Sequence, residues 1–159
     1  MELKTKVAAE DGRQELVITR DFDLPVDLLF RAFAEAEFVA QWMGTNVVKL
    51  ESRSHGSYRF ETTDPKGNLH AFSGVIHEFL PNEKITRTFE MESAAFGPQL
   101  EFFEFSAVSA EKSKLRMHII FRSVSARDQL LKLPFAQGIS MAHDRIQNMF
   151  TKTIHHEEA

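Results

Sequence analysis

The chain has 159 residues, 43% of them hydrophobic, close to the ~150 residues of one domain and with enough apolar mass for a single packed interior. Lys and Arg number 19 against 23 Asp and Glu, a formal net charge of −4; the cations are scattered, which argues against the basic footprint that phosphate backbones require, so nucleic acid is not an expected partner. Cysteine is absent, which removes disulfides, thiolate metal ligands and a Cys nucleophile together, and no apolar run approaches the ~18 residues of a membrane span.

Residues 1–13 read as a loose lead-in without the apolar core of a signal peptide, so a cytoplasmic protein with one domain over 14–155 is expected. From Gln14 to Phe22 the pattern alternates, with Leu16, Ile18 and Phe22 on one face and Val17, Thr19 and Asp21 on the other, which predicts a strand. Pro25 can open a helix because the first turn does not need its missing N–H, and Asp23 is the nearby capping candidate. Leu28, Leu29, Ala32 and Phe33 then form an apolar stripe at helical spacing. A second short helix over about 35–42 carries Phe38, Val39 and Trp42 on one side, and Gly44 can end it.

After Gly44 the period changes from 3.6 to 2, predicting strands near 45–52, 57–63, 68–79, 84–91, 99–109 and 113–122. Turn-rich breaks such as Asp64-Pro65-Lys66-Gly67 and Leu80-Pro81-Asn82-Glu83 separate them, and connections this short imply an antiparallel meander. From Pro134 to Ile154 the helical period returns, with Phe135, Ile139, Ala142, Ile146, Met149 and Phe150 on one face. The adjacent His155 and His156 lack the usual spacing of paired His ligands, and neither a metal nor a cofactor is expected.

Asp23-Leu24-Pro25 before the first helix and Gln41-Trp42-Met43-Gly44 at the end of the second resemble the opening of the START-like (SRPBCC) superfamily, in the branch of the Aha-type activator of the heat-shock-protein-90 ATPase. The likeness continues along nearly the whole chain. Arg53-Ser54-His55-Gly56 before Tyr58-Arg59-Phe60 stands where the family has an Arg-Pro-Gly-Gly turn and an aromatic strand, with two of the four turn residues changed. Asp64-Pro65-Lys66-Gly67 looks like its Asp-x-x-Gly turn, Gly74 to Glu78 like its Gly-x-x-x-Glu strand, and Gly138-Ile139 replaces its usual Gly-Trp. The resemblance implies an α+β helix-grip fold: a curved antiparallel sheet of about seven strands wrapped around the long C-terminal helix, with two short helices between strands one and two. It also implies a cavity between sheet and helix, and a homodimer.

Strand parity nominates polar groups for that cavity. Ile85, Arg87, Phe89 and Met91 share a face, and if Phe103, Phe105 and Ala107 point inward, so does Glu101; Leu100 and Phe102 compete for the same face. A tight hairpin would set Arg87 opposite Glu101, where guanidinium and carboxylate either orient a ligand or satisfy each other. His143 falls between Ile139 and Ile146 at a position usually apolar in the family, and is either part of that cluster or a buried helix residue bonded to a neighbour. Phe60, Phe89, Phe103, Phe105, Ile139 and Ile146 are the expected apolar lining, while Trp42 belongs to the helical plug.

The remaining His residues are weaker candidates, with His55 in a turn, His70 at a strand start and His118 on the outer face. No Ser/His/Asp arrangement or phosphate loop is recognisable, so no catalytic residue is assigned. Three functions remain open. The first is binding of a small apolar or amphipathic molecule in the cavity. The second is an enzyme similar to the superfamily's polyketide cyclases, with Arg87, Glu101 or His143 handling protons. The third is a chaperone-associated interaction module, although the activators of that kind act together with additional domain sequence.

Overall fold

Alternation of apolar and polar residues dominates the chain, and the computed structural model turns it into one open antiparallel sheet of eight strands with four helices. The structure describes residues 4–158, with side chains described for 4–151. The side chains of His155 and His156 lie outside the described residues. The strands are β1 Lys6–Ala8, β2 Glu15–Phe22, β3 Asn46–Leu50, β4 Ser57–Thr63, β5 Leu69–Leu80, β6 Lys84–Met91, β7 Gln99–Ser109 and β8 Lys112–Ile120. The helices are α1 Val26–Ala34, α2 Ala36–Met43, α3 Val124–Leu131 and α4 Phe135–Glu158. Spatial order runs β1-β2-β8-β7-β6-β5-β4-β3, so the last six strands form the meander the short turns predict.

Two elements go beyond the sequence reading. Residues 6–8 of the expected lead-in form the edge strand β1, pairing Val7 with Ile18, which raises the strand count from about seven to eight. Helix α3 begins where the Ser123 hydroxyl accepts from the Ala126 N–H, an N-cap that satisfies one of the free donors of a helix start. Its buried Arg127 donates to the carbonyls of Glu10 and Glu15, tying the N-terminal segment to the domain.

Helix α1 starts at Pro25 as the N-cap residue rather than from an Asp23 cap: the Pro25 carbonyl accepts from Leu28 and Leu29, while the Asp23 N–H is taken by Gln147 on α4. Helix α2 stops at Gly44, whose φ of 61° and ψ of 44° is the left-handed conformation a glycine adopts without steric cost. The Trp42 indole donates to the Ala32 carbonyl at 2.7 Å, locking α2 against α1. Phe30, Phe33, Phe103 and Phe105 meet edge-on or tilted at centroid distances of 5.0 to 5.7 Å, filling the sheet under α1. Each such pair contributes about 0.5–1.5 kcal/mol beyond area burial. α4 packs across the same sheet face through Ile146 and Phe150, the latter edge-on to Phe38 of α2 at 5.0 Å.

Candidate functional site

Register decides what faces inward. Arg87 pairs with Glu101 across β6 and β7, Ile85 with Phe103 and Phe89 with Gln99, so both charged residues lie on the face that buries Phe103. Arg87 Nε donates to Glu101 Oε1 at 2.9 Å, and the Gln99 amide donates to Glu101 Oε2 at 2.8 Å. Both carboxylate oxygens are therefore occupied, and the side chains are only 11% and 5% exposed. The Arg87 guanidinium also lies over three rings, 5.0 Å from the Tyr58 centroid, 5.6 Å from Phe89 and 4.7 Å from Phe103. Ring faces attract cations and replace part of the lost hydration.

Tyr58 reaches this position because of Gly74. The two residues are opposite each other on β4 and β5, and the phenol passes over the glycine to donate to the Thr88 carbonyl on β6. A Cβ at Gly74 would come within 2.0 Å of that carbonyl and 2.7 Å of the phenol oxygen. Burial raises the Tyr58 phenol's pKa, against the pull of the Arg87 charge, so the ring stays neutral and the hydroxyl remains a donor.

Beyond Arg87 the packing fails to fill the interior. A cavity of about 470 Å³ lies between the sheet and the beginning of α4. Its floor is Phe72, Phe89, Glu101, Phe103, Met117 and Ile119; Phe135, Ile139, Ala142 and His143 form the roof, with Phe33 and Trp42 at one end. Leu133, which is exposed, and Gly97 in the β6–β7 connection stand on its rim. The volume falls within the range of about 300–1,000 Å³ usual for small-molecule sites.

Of the expected lining residues, Arg87, Glu101, His143, Phe89, Phe103 and Ile139 are in this wall. Phe60, Phe105 and Ile146 are not: Phe60 packs on Tyr58, Phe105 on Phe30 and Phe33, and Ile146 is fully buried in the core. Trp42 locks the helical plug as expected and also forms part of the wall.

His143 belongs to a second polar cluster. Its Nδ1 is 2.8 Å from Thr5 Oγ1, which accepts from Arg20 Nη1 at 3.1 Å, and Arg20 Nη2 pairs with Asp144 at 2.9 Å. Arg20 occupies the same face of β2 as Leu16, Ile18 and Phe22, so alternation already placed it inside. Burial, reinforced by the neighbouring Arg20 charge, pushes the His143 pKa down to about 4, leaving the imidazole neutral near pH 7.

Away from the cavity, Asp64, His70 and Ser93 form a hydrogen-bonded chain, with 2.9 Å from His70 Nε2 to Asp64 and 2.9 Å from Nδ1 to Ser93. Neither alternation nor residue spacing announces it, because Ser93 lies 23 positions from His70. These residues sit at the surface, and the other Asp64 oxygen accepts from the Lys66 and Asn68 N–H groups, a turn-fixing role.

A single antiparallel sheet closed by a long C-terminal helix, with two short helices after the first full-length strand and a chamber between sheet and helix, defines a helix-grip domain of the START-like class. The profile of the family described as "Activator of Hsp90 ATPase homolog 1-like protein" matches residues 23–151, and the chain belongs to that family. No curated protein matches the sequence. Among solved structures, a Rhodobacter sphaeroides protein superposes with a TM-score of 0.83 at 17% identity, covering 93% of this chain and 99% of its own. A Mycobacterium smegmatis protein gives 0.80 at 22% identity over 94% and 98%. An HSP90 activator from Plasmodium falciparum gives 0.55 at 18% identity over 67% and 72%. These likenesses are of fold. Among the described residues, no helix is long and apolar enough to cross a membrane.

Proposed function

We propose that the protein binds a small apolar or amphipathic molecule in the chamber between the sheet and α4. The observation carrying this reading is the coincidence of a 470 Å³ apolar cavity with the inward-facing Arg87–Glu101 pair. A cavity this size exposes its aromatic and aliphatic walls to water unless something fills it, and burial of apolar surface favours an occupant by about 25 cal/mol per Å². The polyketide-cyclase alternative draws no support from His143, because an imidazole with a pKa near 4 is a weak base near pH 7.

Native mass spectrometry of the purified protein is the direct test. A reproducible adduct of a few hundred daltons supports the reading; a bare mass that persists after incubation with fatty acids, flavonoids and polyketides overturns it. The same spectrum counts subunits, and so tests the homodimer. A chaperone-associated role is the second reading, favoured by the family's description and by the Plasmodium relative. Stimulation of purified heat-shock-protein-90 ATPase by this chain alone is its test.

A further inference from the structure

The chamber wall holds two sets of hydrogen-bond donors that the described residues do not use. Arg87 spends only its Nε, on Glu101, and its two terminal nitrogens have no acceptor among the described residues. His143 Nε2 is buried and likewise has no partner. The neighbours of its other nitrogen identify the tautomer. Thr5 Oγ1 accepts from Arg20, and the only described acceptor within reach of its own hydroxyl hydrogen is His143 Nδ1. Nδ1 is then an acceptor, and in a neutral ring Nε2 carries the hydrogen. A buried donor without a partner costs about 1–3 kcal/mol, a cost that an acceptor brought to His143 Nε2 would remove.

Charge narrows the choice. Arg87 and Arg145 stand in the wall against Glu101 alone, a net positive lining in which Arg145 is exposed to solvent and Arg87 is buried. Arg145 is held there by its Nε, which donates to the Trp42 carbonyl at 2.8 Å. Glu101 accepts from Arg87 Nε on one oxygen and from Gln99 on the other, and takes no hydrogen bond from the Arg87 terminal nitrogens or from His143 Nε2.

Resting on the ligand-binding reading above, we infer that the chamber selects an apolar molecule bearing one carboxylate, the oxygens taken by the Arg87 terminal nitrogens and His143 Nε2–H and the apolar body by Phe72, Phe89 and Ile139. The guanidinium then bridges two carboxylates, a planar fork matched to that geometry. An alcohol or ester of the same body fills the apolar wall but leaves charged donors unmatched, and hydrogen bonds to charged groups are worth about 1.5–3 kcal/mol, roughly 10- to 150-fold in affinity.

The test titrates wild-type protein at pH 7.5 with two matched pairs, dodecanoic acid with dodecan-1-ol and 1-naphthoic acid with 1-naphthylmethanol. Binding is read by calorimetry and by fluorescence of Trp42, the sole tryptophan and part of the wall. The expected result is that at least one acid binds 10-fold or more tightly than its alcohol, and that Arg87→Met removes this preference, bringing the affinities of acid and alcohol within about 3-fold of each other. The paired variant Arg87→Met with Glu101→Gln repeats the measurement without a stranded buried carboxylate. Equal binding of acids and alcohols overturns the inference and leaves the ligand-binding reading standing; no binding by any of the four overturns both. A preference that survives in both variants removes Arg87 from the assignment and so overturns it.

Discussion

Arg20 and Arg87 enter the same face of the sheet from β2 and β6, and both are nearly lost to solvent, yet they end in different company. Arg20 places one terminal nitrogen on Thr5 and the other on Asp144, with its guanidinium 5.1 Å from the Phe22 ring. Arg87 is held by Nε and by three rings, and its terminal nitrogens remain available at a cavity wall. A buried arginine is therefore not by itself a sign of function. Arg20 ties the segment leading into the edge strand to the C-terminal helix through both terminal nitrogens, its buried Nε having no partner among the described residues; Arg87 is fixed through its Nε with its terminal nitrogens left at the cavity wall, which is how a recognition group is preorganised.

The sharpest way to break that contrast is to remove each guanidinium in turn. Arg87→Met leaves Glu101 buried with only Gln99 as partner, and breaking a buried pair from one side costs about 3–5 kcal/mol. Urea denaturation should show this loss, and adding Glu101→Gln should restore most of it by removing the stranded charge. If the double variant is no more stable than the single one, Glu101 is not the reason Arg87 matters to the fold.

The Arg20 end has its own signature in pH. The His143 pKa in the folded state is depressed to about 4, below the ordinary 6.5, so the imidazole binds its proton more weakly folded than unfolded. Its contribution is fully present above pH 6.5 and lost as pH falls toward 4, on the order of 3 kcal/mol across that window. The charges facing it are Arg20, which lowers the pKa, and Asp144, which raises it. His143→Gln should flatten the stability profile between pH 6.5 and 4, and a slope unchanged by the substitution would sink this account. Glu51 and Asp64 are held near a pKa of 2, below their ordinary 4.5 and 3.8, so their own contributions begin to fall away only below about pH 5, and the slope between pH 6.5 and about 5 is the part that reports His143.

Much of this was legible in the sequence because a strand repeats every two residues. Parity put Arg87 on the apolar face beside Phe89, whereas Glu101, with Leu100 and Phe102 competing for that face, was decided only by the register between β6 and β7. Arg20 sits two positions from both Ile18 and Phe22 and was equally legible, but a pattern read only from apolar residues passes over an inward charge. Thr5 was not legible: it stands just before β1, a strand of three residues that is too short for alternation and exists only by pairing with β2. The cavity was hidden for a different reason. Phe60 and Phe89 look alike in sequence, and whether a Phe fills the core or borders empty space depends on what the opposite element brings. Above Phe89 that element is the beginning of α4, where Gly138 supplies no side chain and Ala142 only a methyl group.

Arg20→Met carries the smallest expected effect and tests the comparison from its other side. Its ion-pair partner Asp144 is 53% exposed, so losing the guanidinium returns that carboxylate to water rather than stranding it. Thr5 loses one donor but keeps His143, and the Met side chain can retain contact with Phe22. The cost should be about 1–2 kcal/mol, the scale of an ordinary hydrogen bond plus a partly solvated ion pair. Removing the positive charge also takes away one of the two influences holding the His143 pKa down, so an NMR titration should show it rising from about 4 toward its ordinary value. Affinity for the carboxylate probe should stay within a few-fold, because Arg20 is not in the cavity wall. A loss as large as that of Arg87→Met would mean that the two arginines act as one network and that the separation between clamp and recognition group is false.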